Sequence, residues 1–235
     1  MIDLNSKSII IVGLKWFNRS SLTKTKMIVC GVDDAGRGSV LGPLVIAGVS
    51  VKSTRVKHLS EMGVKDSKQL SPAARERLYK KIINFVDDYY VSKIPPKTID
   101  ASVSKNQLNH LEAKHMAKVI SKLRPDSSYV DSCDVNPRRF GREISRLAQT
   151  GRVYSRHHAD SEFVIVSAAS ILAKVNRDKA IEKLRRKYNL GSGYPSDSKT
   201  MKFIRDWITE FNEIPQFVRA SWKPVRILMK ENYLA

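Results

Sequence analysis

Apolar and polar positions alternate in two rhythms along this chain. Met27-Ile28-Val29-Cys30-Gly31-Val32 is an unbroken, β-branched run closed by Asp33-Asp34, which predicts a buried strand ending in acids. A glycine-rich turn, Gly36-Arg37-Gly38, follows, and residues 44–51 predict a second strand. Ser71 and Pro72 read as an N-cap with proline at the first helical position, opening a helix to about residue 85. Residues 86–94 predict a third strand, stopped by Pro95-Pro96. Leu108, Leu111, Met116, Val119 and Ile120 keep helical spacing over 106–123. A short strand over 128–131 ends in an acid, a helix spans 137–148, and a fifth strand covers 152–155. A long helix over 161–188 follows Asp160, and a Gly-Pro loop over 191–197 precedes helices over about 199–211 and 224–233.

One early run of consecutive strands followed by alternating strands and helices predicts an α/β fold, a mixed five-stranded sheet flanked by helices. In such sheets the site lies beyond the carboxyl ends of the parallel strands. The expected organisation is a basic N-terminal extension over 1–26, a catalytic domain over 27–198 and a small helical region over 199–235. The extension carries five basic residues and one acid without clear periodicity, apart from a short apolar stretch at 9–12 that suits a strand.

Charge narrows the function. Lys and Arg number 42 against 23 Asp and Glu, a formal charge of +19 over 235 residues. A folded chain this basic favours a polyanionic partner, because neutralised phosphates release condensed counterions. No apolar run approaches the roughly 18 residues of a membrane span. No basic amphipathic anchor stands out either, which favours nucleic acid over a membrane face. Two cysteines, Cys30 and Cys133, make neither a disulfide framework nor a metal cluster, so a cytoplasmic, reducing setting is expected.

The candidate chemistry lies in the acids. Asp33, Asp34, Asp131 and Asp160 stand at predicted strand ends or just before the long helix. Hard divalent cations take oxygen ligands, and two ions roughly 3.5–4 Å apart can clamp both oxygens of an in-line displacement. Carboxylates gathered within a strongly positive chain suit a nuclease. Taken singly, each acid also suits a turn or cap. Asp134 competes with Asp131 but reads better as the start of the turn before Pro137, and Asp66 is a further near-match. The Gly36-Arg37-Gly38 turn permits close backbone approach to a ligand, and Arg37 suits a phosphate contact better than a buried pair. Tyr194, between Gly193 and Pro195, offers a flat face and a hydroxyl, or simply covers the core edge. Ser167-Ala168-Ala169-Ser170 permits close packing. Lys179, Lys183, Arg185, Arg186 and Lys187 suit either the helix dipole or a phosphate backbone. His157 and His158 read as a solvated strand end, Cys133 as a small buried side chain, and Trp207, Phe211, Phe217 and Trp222 as core.

Taken in order, these segments resemble type 2 ribonuclease H (ribonuclease HII), with wording closest to archaeal members. The resemblance is carried by Gly31-Val32-Asp33-Asp34-Ala35-Gly36-Arg37-Gly38 with Leu41-Gly42-Pro43-Leu44, and by Lys65-Asp66-Ser67-Lys68-Gln69-Leu70. It continues through Tyr129-Val130-Asp131-Ser132-Cys133-Asp134-Val135, His157-His158-Ala159-Asp160, the stretch Val166 to Asp178, and Gly191 to Asp197. The resemblance implies an RNase H-like sheet and an endonuclease that cuts the RNA strand of RNA–DNA hybrids and single ribonucleotides within duplex DNA. It implies Mg²⁺ or Mn²⁺, two ions in all, and 5′-phosphate and 3′-hydroxyl products. Asp33, Asp34, Asp131 and Asp160 would be the metal-site acids. The Gly36, Arg37 and Gly38 backbone with Tyr194 would sense the 2′-hydroxyl, and Lys68, with Ser67, Ser170 and Lys174, would contact phosphates. The family usually has Glu where this chain has Asp34, a carboxylate withdrawn by roughly 1.5 Å. A monomer is expected. No sliding-clamp-binding peptide stands out near the C-terminus, which leaves that partner open. Two rivals remain open: another carboxylate-rich nuclease, and a nucleic-acid-binding protein with a decayed metal site.

Overall fold

The computed structural model describes residues 27–65 and 67–234. The stretch over 9–12 and Asp66 lie outside these. Five strands, β1 (Ile28–Ala35), β2 (Leu44–Lys52), β3 (Asp88–Ile94), β4 (Ser127–Asp131) and β5 (Arg152–Arg156), form one sheet in the order β3-β2-β1-β4-β5. β1 pairs antiparallel with β2, and β2 with β3, whereas β1–β4 and β4–β5 are parallel. This is the expected mixed five-stranded sheet.

One boundary differs in a way that matters for chemistry. Asp33 and Asp34 do not terminate β1; they lie inside it. Parallel pairing with β4 stops at Val32–Val130, but β2 continues the ladder opposite Asp33, Asp34 and Ala35 through Ala47, Ile46 and Val45. The two acids are therefore held on rigid, hydrogen-bonded backbone rather than in a turn.

The helices are α1 (Val56–Glu61), α2 (Pro72–Phe85), α3 (Pro96–Val103), α4 (Leu108–Leu123), α5 (Pro137–Ala148), α6 (Ala159–Glu162), α7 (Val164–Arg185), α8 (Ser198–Phe211) and α9 (Lys223–Leu234). Ser71 caps α2 as expected, its hydroxyl accepting the Ala74 amide at 3.2 Å. Pro95-Pro96 does end β3, but Pro96 also opens α3, a first-turn position where proline's missing N–H is no loss. The long helix expected after Asp160 is broken. Phe163 is extended (φ −123°, ψ 112°) with its ring 4.7 Å from Tyr129, and this splits off the single turn α6. Asp160 thus belongs to α6, and α7 starts only after Phe163 rather than directly behind Asp160.

Strand alternation sorts the core into two layers. Val29, Ala35, Val45, Ala47 and Val49 face α1, α2 and α7, while Cys30, Val32, Leu44, Ile46 and Val130 face α4 and α5. Glycine brings a helix onto each face. A Cβ at Gly31 would lie 2.2 Å from the Ile165 carbonyl oxygen, and one at Gly48 would lie 2.4 Å from Val119 Cγ1. The small stretch Ser167-Ala168-Ala169-Ser170 is likewise buried all round α7.

A third apolar cluster joins Val40 and Leu41 to Ile181, Ile204, Ile208, Val218 and Val225. It seats α8 and α9 on the loop that follows β1, and a Leu41–Val218 bridge reinforces the contact. Trp207 and Phe217 pack there as expected. Phe211 does not join the core: it is 50% exposed, because it caps the open end of the ring cluster against Trp207.

Gly31→Ala is expected to destabilise the protein by about 2–3 kcal/mol, because neither the strand nor the α7 backbone can retreat. Urea unfolding of the two proteins checks this, and an unchanged midpoint would show that α7 can shift.

Candidate active site

Successive residues of a strand point to opposite faces, so Asp33 and Asp34 are supported by different layers. Asp33 is buried on the α7 side. Its Oδ1 accepts the Asp34 amide at 2.7 Å, and Ser170 of α7 hydrogen-bonds its carboxyl group. Ser170 in turn bonds Ser67 at 2.9 Å. Burial, then repulsion from Asp34 and Asp131, pushes the Asp33 carboxyl well above its ordinary range. Asp34 faces α4. Burial and the Glu112 carboxylate push it up to about 7, against the pull of Arg37.

Asp131 ends β4 beside β1. Its Oδ1 accepts the Ala159 amide at 2.7 Å, which ties it to α6, and burial raises its carboxyl. Asp160 is buried on α6. Its Oδ2 receives Lys68 Nζ at 3.1 Å, whereas its Oδ1 is buried without a hydrogen-bond partner. The backbone thus gathers all four expected acids at the carboxyl end of β1 and β4 and on the turn after β5. Asp134 does not join them. It accepts both Arg139 Nη2 contacts (2.6 and 2.8 Å) and the Asn136 amide, and these bonds hold it down at about 2, so the turn reading is correct.

The donor set fits a hard cation. All the candidate ligands are carboxylate oxygens, one is an orphaned buried oxygen, and burial together with neighbouring carboxylates raises the carboxyls of Asp33, Asp34 and Asp131. Among the described residues no three acidic or imidazole side chains already close into a cage. That openness suits Mg²⁺-type sites, which use one or two carboxylates plus waters and substrate phosphate oxygens.

A second constellation adjoins the first. Gly36 adopts φ +86°, a left-handed turn natural to glycine. The turn is gripped from outside the strand. Arg219, fully buried, donates to the carbonyls of Arg37 (2.9 Å) and Gly42 (3.2 Å). Burial and neighbouring Arg177 draw its guanidinium down to about 10. The Gly193 carbonyl accepts the Val40 and Leu41 amides at 2.8 and 3.2 Å, which places Tyr194 beside the turn. Asp197 braces that loop through the Ser192 amide, the Lys199 amide at 3.0 Å and Thr200 Oγ1 at 3.2 Å.

The expectation for Arg37 needs correction. Its Nε binds both Glu112 oxygens at 3.0 and 3.1 Å, and its Nη2 reaches Asn109 at 2.8 Å. A buried carboxylate requires such a partner, and fully buried Glu112 claims the nearest guanidinium. His157 and His158 are exposed, with His157 Nδ1 3.3 Å from the Ser132 carbonyl. In the α7 cation cluster, Lys179 pairs with Glu76 at 2.9 Å and Arg185 with Glu182 at 3.9 Å.

The ribonuclease HII family model matches residues 30–225, most of the chain. The chain belongs to the ribonuclease HII family. Ribonuclease HII of Cenarchaeum symbiosum is 55% identical over 203 residues, covering 86% of this chain and 98% of that protein. The crystal structure of ribonuclease H2 from Pyrococcus horikoshii OT3 is 42% identical with a TM-score of 0.84, covering 89% of this chain and 100% of that one. Ribonuclease HII from Archaeoglobus fulgidus, solved in complex with PCNA, is 40% identical with a TM-score of 0.78, covering 85% and 96%. As a ribonuclease HII, the protein is an endonuclease that hydrolyses the RNA strand of RNA–DNA hybrids. Among the described residues no helix is long and apolar enough to cross a membrane.

Three residues of this ribonuclease HII site escaped the sequence reading as individuals. Glu112 occupies the stripe Leu108-Glu112-Met116 of α4, and Arg177 the stripe Ala173-Arg177-Ile181 of α7. A charge at a core-facing helical position is a legible signal of a buried pair. Arg219 lies between elements, where periodicity gives no signal.

Asp34→Glu is expected to change the ratio of Mg²⁺- to Mn²⁺-supported cleavage by several-fold, because it moves the carboxylate by roughly 1.5 Å. Parallel rates in the two metals decide it; identical ratios would show that the shorter side chain is immaterial.

Proposed function

We propose that Asp33, Asp34, Asp131 and Asp160 hold Mg²⁺ or Mn²⁺, as a pair of ions, for hydrolysis of a phosphodiester at a ribonucleotide. The observation that carries this reading is the convergence of four carboxylates, one with an orphaned buried oxygen, in a chain of net charge +19. When bound, the divalent ions supply positive charge to the scissile phosphate and make water a better nucleophile. Asp33, fixed by the Asp34 amide and Ser170, lies within reach of the charges of Asp34 and Asp131. Asp160 is aimed by Lys68, and Asp131 by the Ala159 amide. Lys68 and Lys174 face the substrate phosphates in this reading, whereas Ser67 and Ser170, expected beside them, are buried and bonded to each other, so they support Asp33 instead.

Selection is assigned to the second constellation. The Gly36, Arg37 and Gly38 main chain and the Tyr194 hydroxyl and ring recognise the 2′-hydroxyl, the group that distinguishes RNA from DNA. The protein acts as a monomer in the cytoplasm, on long hybrids and on lone ribonucleotides alike. The PCNA complex of the A. fulgidus relative extends the proposal to a PCNA-like partner here.

The decisive assay uses a duplex with one embedded ribonucleotide beside an all-DNA duplex, in Mg²⁺, Mn²⁺ or chelator. Cleavage 5′ or 3′ of the ribonucleotide alone, abolished by chelator, is expected; cutting of the all-DNA duplex would sink the reading. Asp33→Asn should lower kcat by at least about 10²-fold with hybrid binding retained. Filter binding beside turnover checks the split, and retained turnover would remove Asp33 from the mechanism.

A Cβ at Gly38 would meet nothing within 4 Å in the protein. Gly38→Ala should therefore leave stability within about 0.5 kcal/mol while cutting activity at the ribonucleotide falls, because the methyl enters the space kept for the sugar. Unimpaired cleavage would mean that the substrate backbone passes elsewhere.

A further inference from the structure

We infer that Arg177 is a positioning residue that clasps the Tyr194 loop to the Gly36–Gly38 turn and so fixes the spacing between the two halves of the ribose reader. This rests on the reading of Tyr194 and the turn given above.

Arg177 is only 5% exposed. Removing a guanidinium from water is unfavourable unless its donors are met and a charge partner is near. Its carboxylate partner is the half-exposed Asp178, 3.2 Å from Nη1, and its Nε is buried with no partner at all. Arg219, a second buried guanidinium, repels it from nearby. A position that chemically awkward on the core-facing stripe of α7 calls for a specific return in geometry, and the contacts supply it.

Nη2 donates to Ser39 Oγ at 3.0 Å and to the Ser192 carbonyl at 2.6 Å. Ser39 follows the glycine turn, and Ser192 precedes Tyr194 by two residues. One nitrogen therefore binds both loops. Ser39 Oγ in turn lies 2.7 Å from the Gly193 carbonyl, which extends the link. The guanidinium carbon lies 4.3 Å from the centre of the Tyr194 ring, a cation–π contact that sets the ring's height. Space is matched on both sides. A Cβ at Gly36 would meet Arg177 Cγ at 3.1 Å, and one at Gly193 would meet Nη2 at 3.0 Å. Both glycines have positive φ, +86° and +87°. Each loop is thus moulded around the same side chain. Lysine keeps the charge at this position but cannot bond two loops and stack on a ring together.

The test pairs amide exchange with kinetics, using Arg177→Lys, Arg177→Met, Tyr194→Ala and the Lys/Ala double variant of the full chain. The Val40 and Leu41 amides, which bond the Gly193 carbonyl, should exchange at least about tenfold faster in both Arg177 variants, with the β1–β2 ladder unchanged. On a duplex with one ribonucleotide, Arg177→Lys should lower kcat about tenfold with KM changed less than twofold. The double variant should be no slower than Tyr194→Ala alone, because both changes remove the same placement. Unaltered exchange at Val40 and Leu41 in either folded variant overturns the clasp, as does a double variant whose losses multiply. Faster local exchange with a fully active Tyr194→Ala protein supports the clasp while removing Tyr194 from ribose recognition, so the two readings fail separately.

Discussion

Two consecutive carboxylates inside a paired strand place charge on both faces of the sheet at one level. Neither face is solvent: one is roofed by α7 and the other by α4. The surrounding architecture meets this constraint. Ser170 and Ser67 supply hydroxyls beneath Asp33, while Glu112 and Arg37 fill the space on the Asp34 side. The compensation is deliberately incomplete, since the carboxyl groups remain perturbed and one oxygen of Asp160 remains orphaned. Buried, under-neutralised oxygens are the condition for strong attraction of a hard cation.

The site is a composite of two kinds of rigidity. The acids stand on or next to the sheet, whose ladder fixes their separation. The selecting loops have no such ladder and are fixed by buried guanidiniums. Arg219 collects carbonyls on one flank and Arg177 joins hydroxyl, carbonyl and ring on the other. Arginine suits this use because its planar fork presents several donors at fixed angles. The helical C-terminal part is consequently more than a covering layer, since Arg219 enters from the segment between α8 and α9.

Much of this was legible in the amino-acid order. The unbroken run at 27–32, the Ser71-Pro72 cap and the α4 stripe each give one answer under simple periodicity. Acids closing apolar runs located the chemistry, and their ordered motifs identified the family. What escaped has physical causes. β1 outruns its apolar stretch because β2 supplies partners from elsewhere in the chain. Phe163 breaks the long helix through a tertiary ring contact that no local pattern records. Pro96 serves as a stop and a start at once. Arg37 looked available for phosphate because its partner, Glu112, is distant in sequence.

The bonds from Arg219 to the carbonyls of Arg37 and Gly42 span 182 and 177 positions of the chain. Synthesis proceeds from the N-terminus, so β1 and its following loop are made well before the Arg219 that secures the loop. The acids on the strand and the grip on the loop therefore mature at separate moments of translation, the grip later.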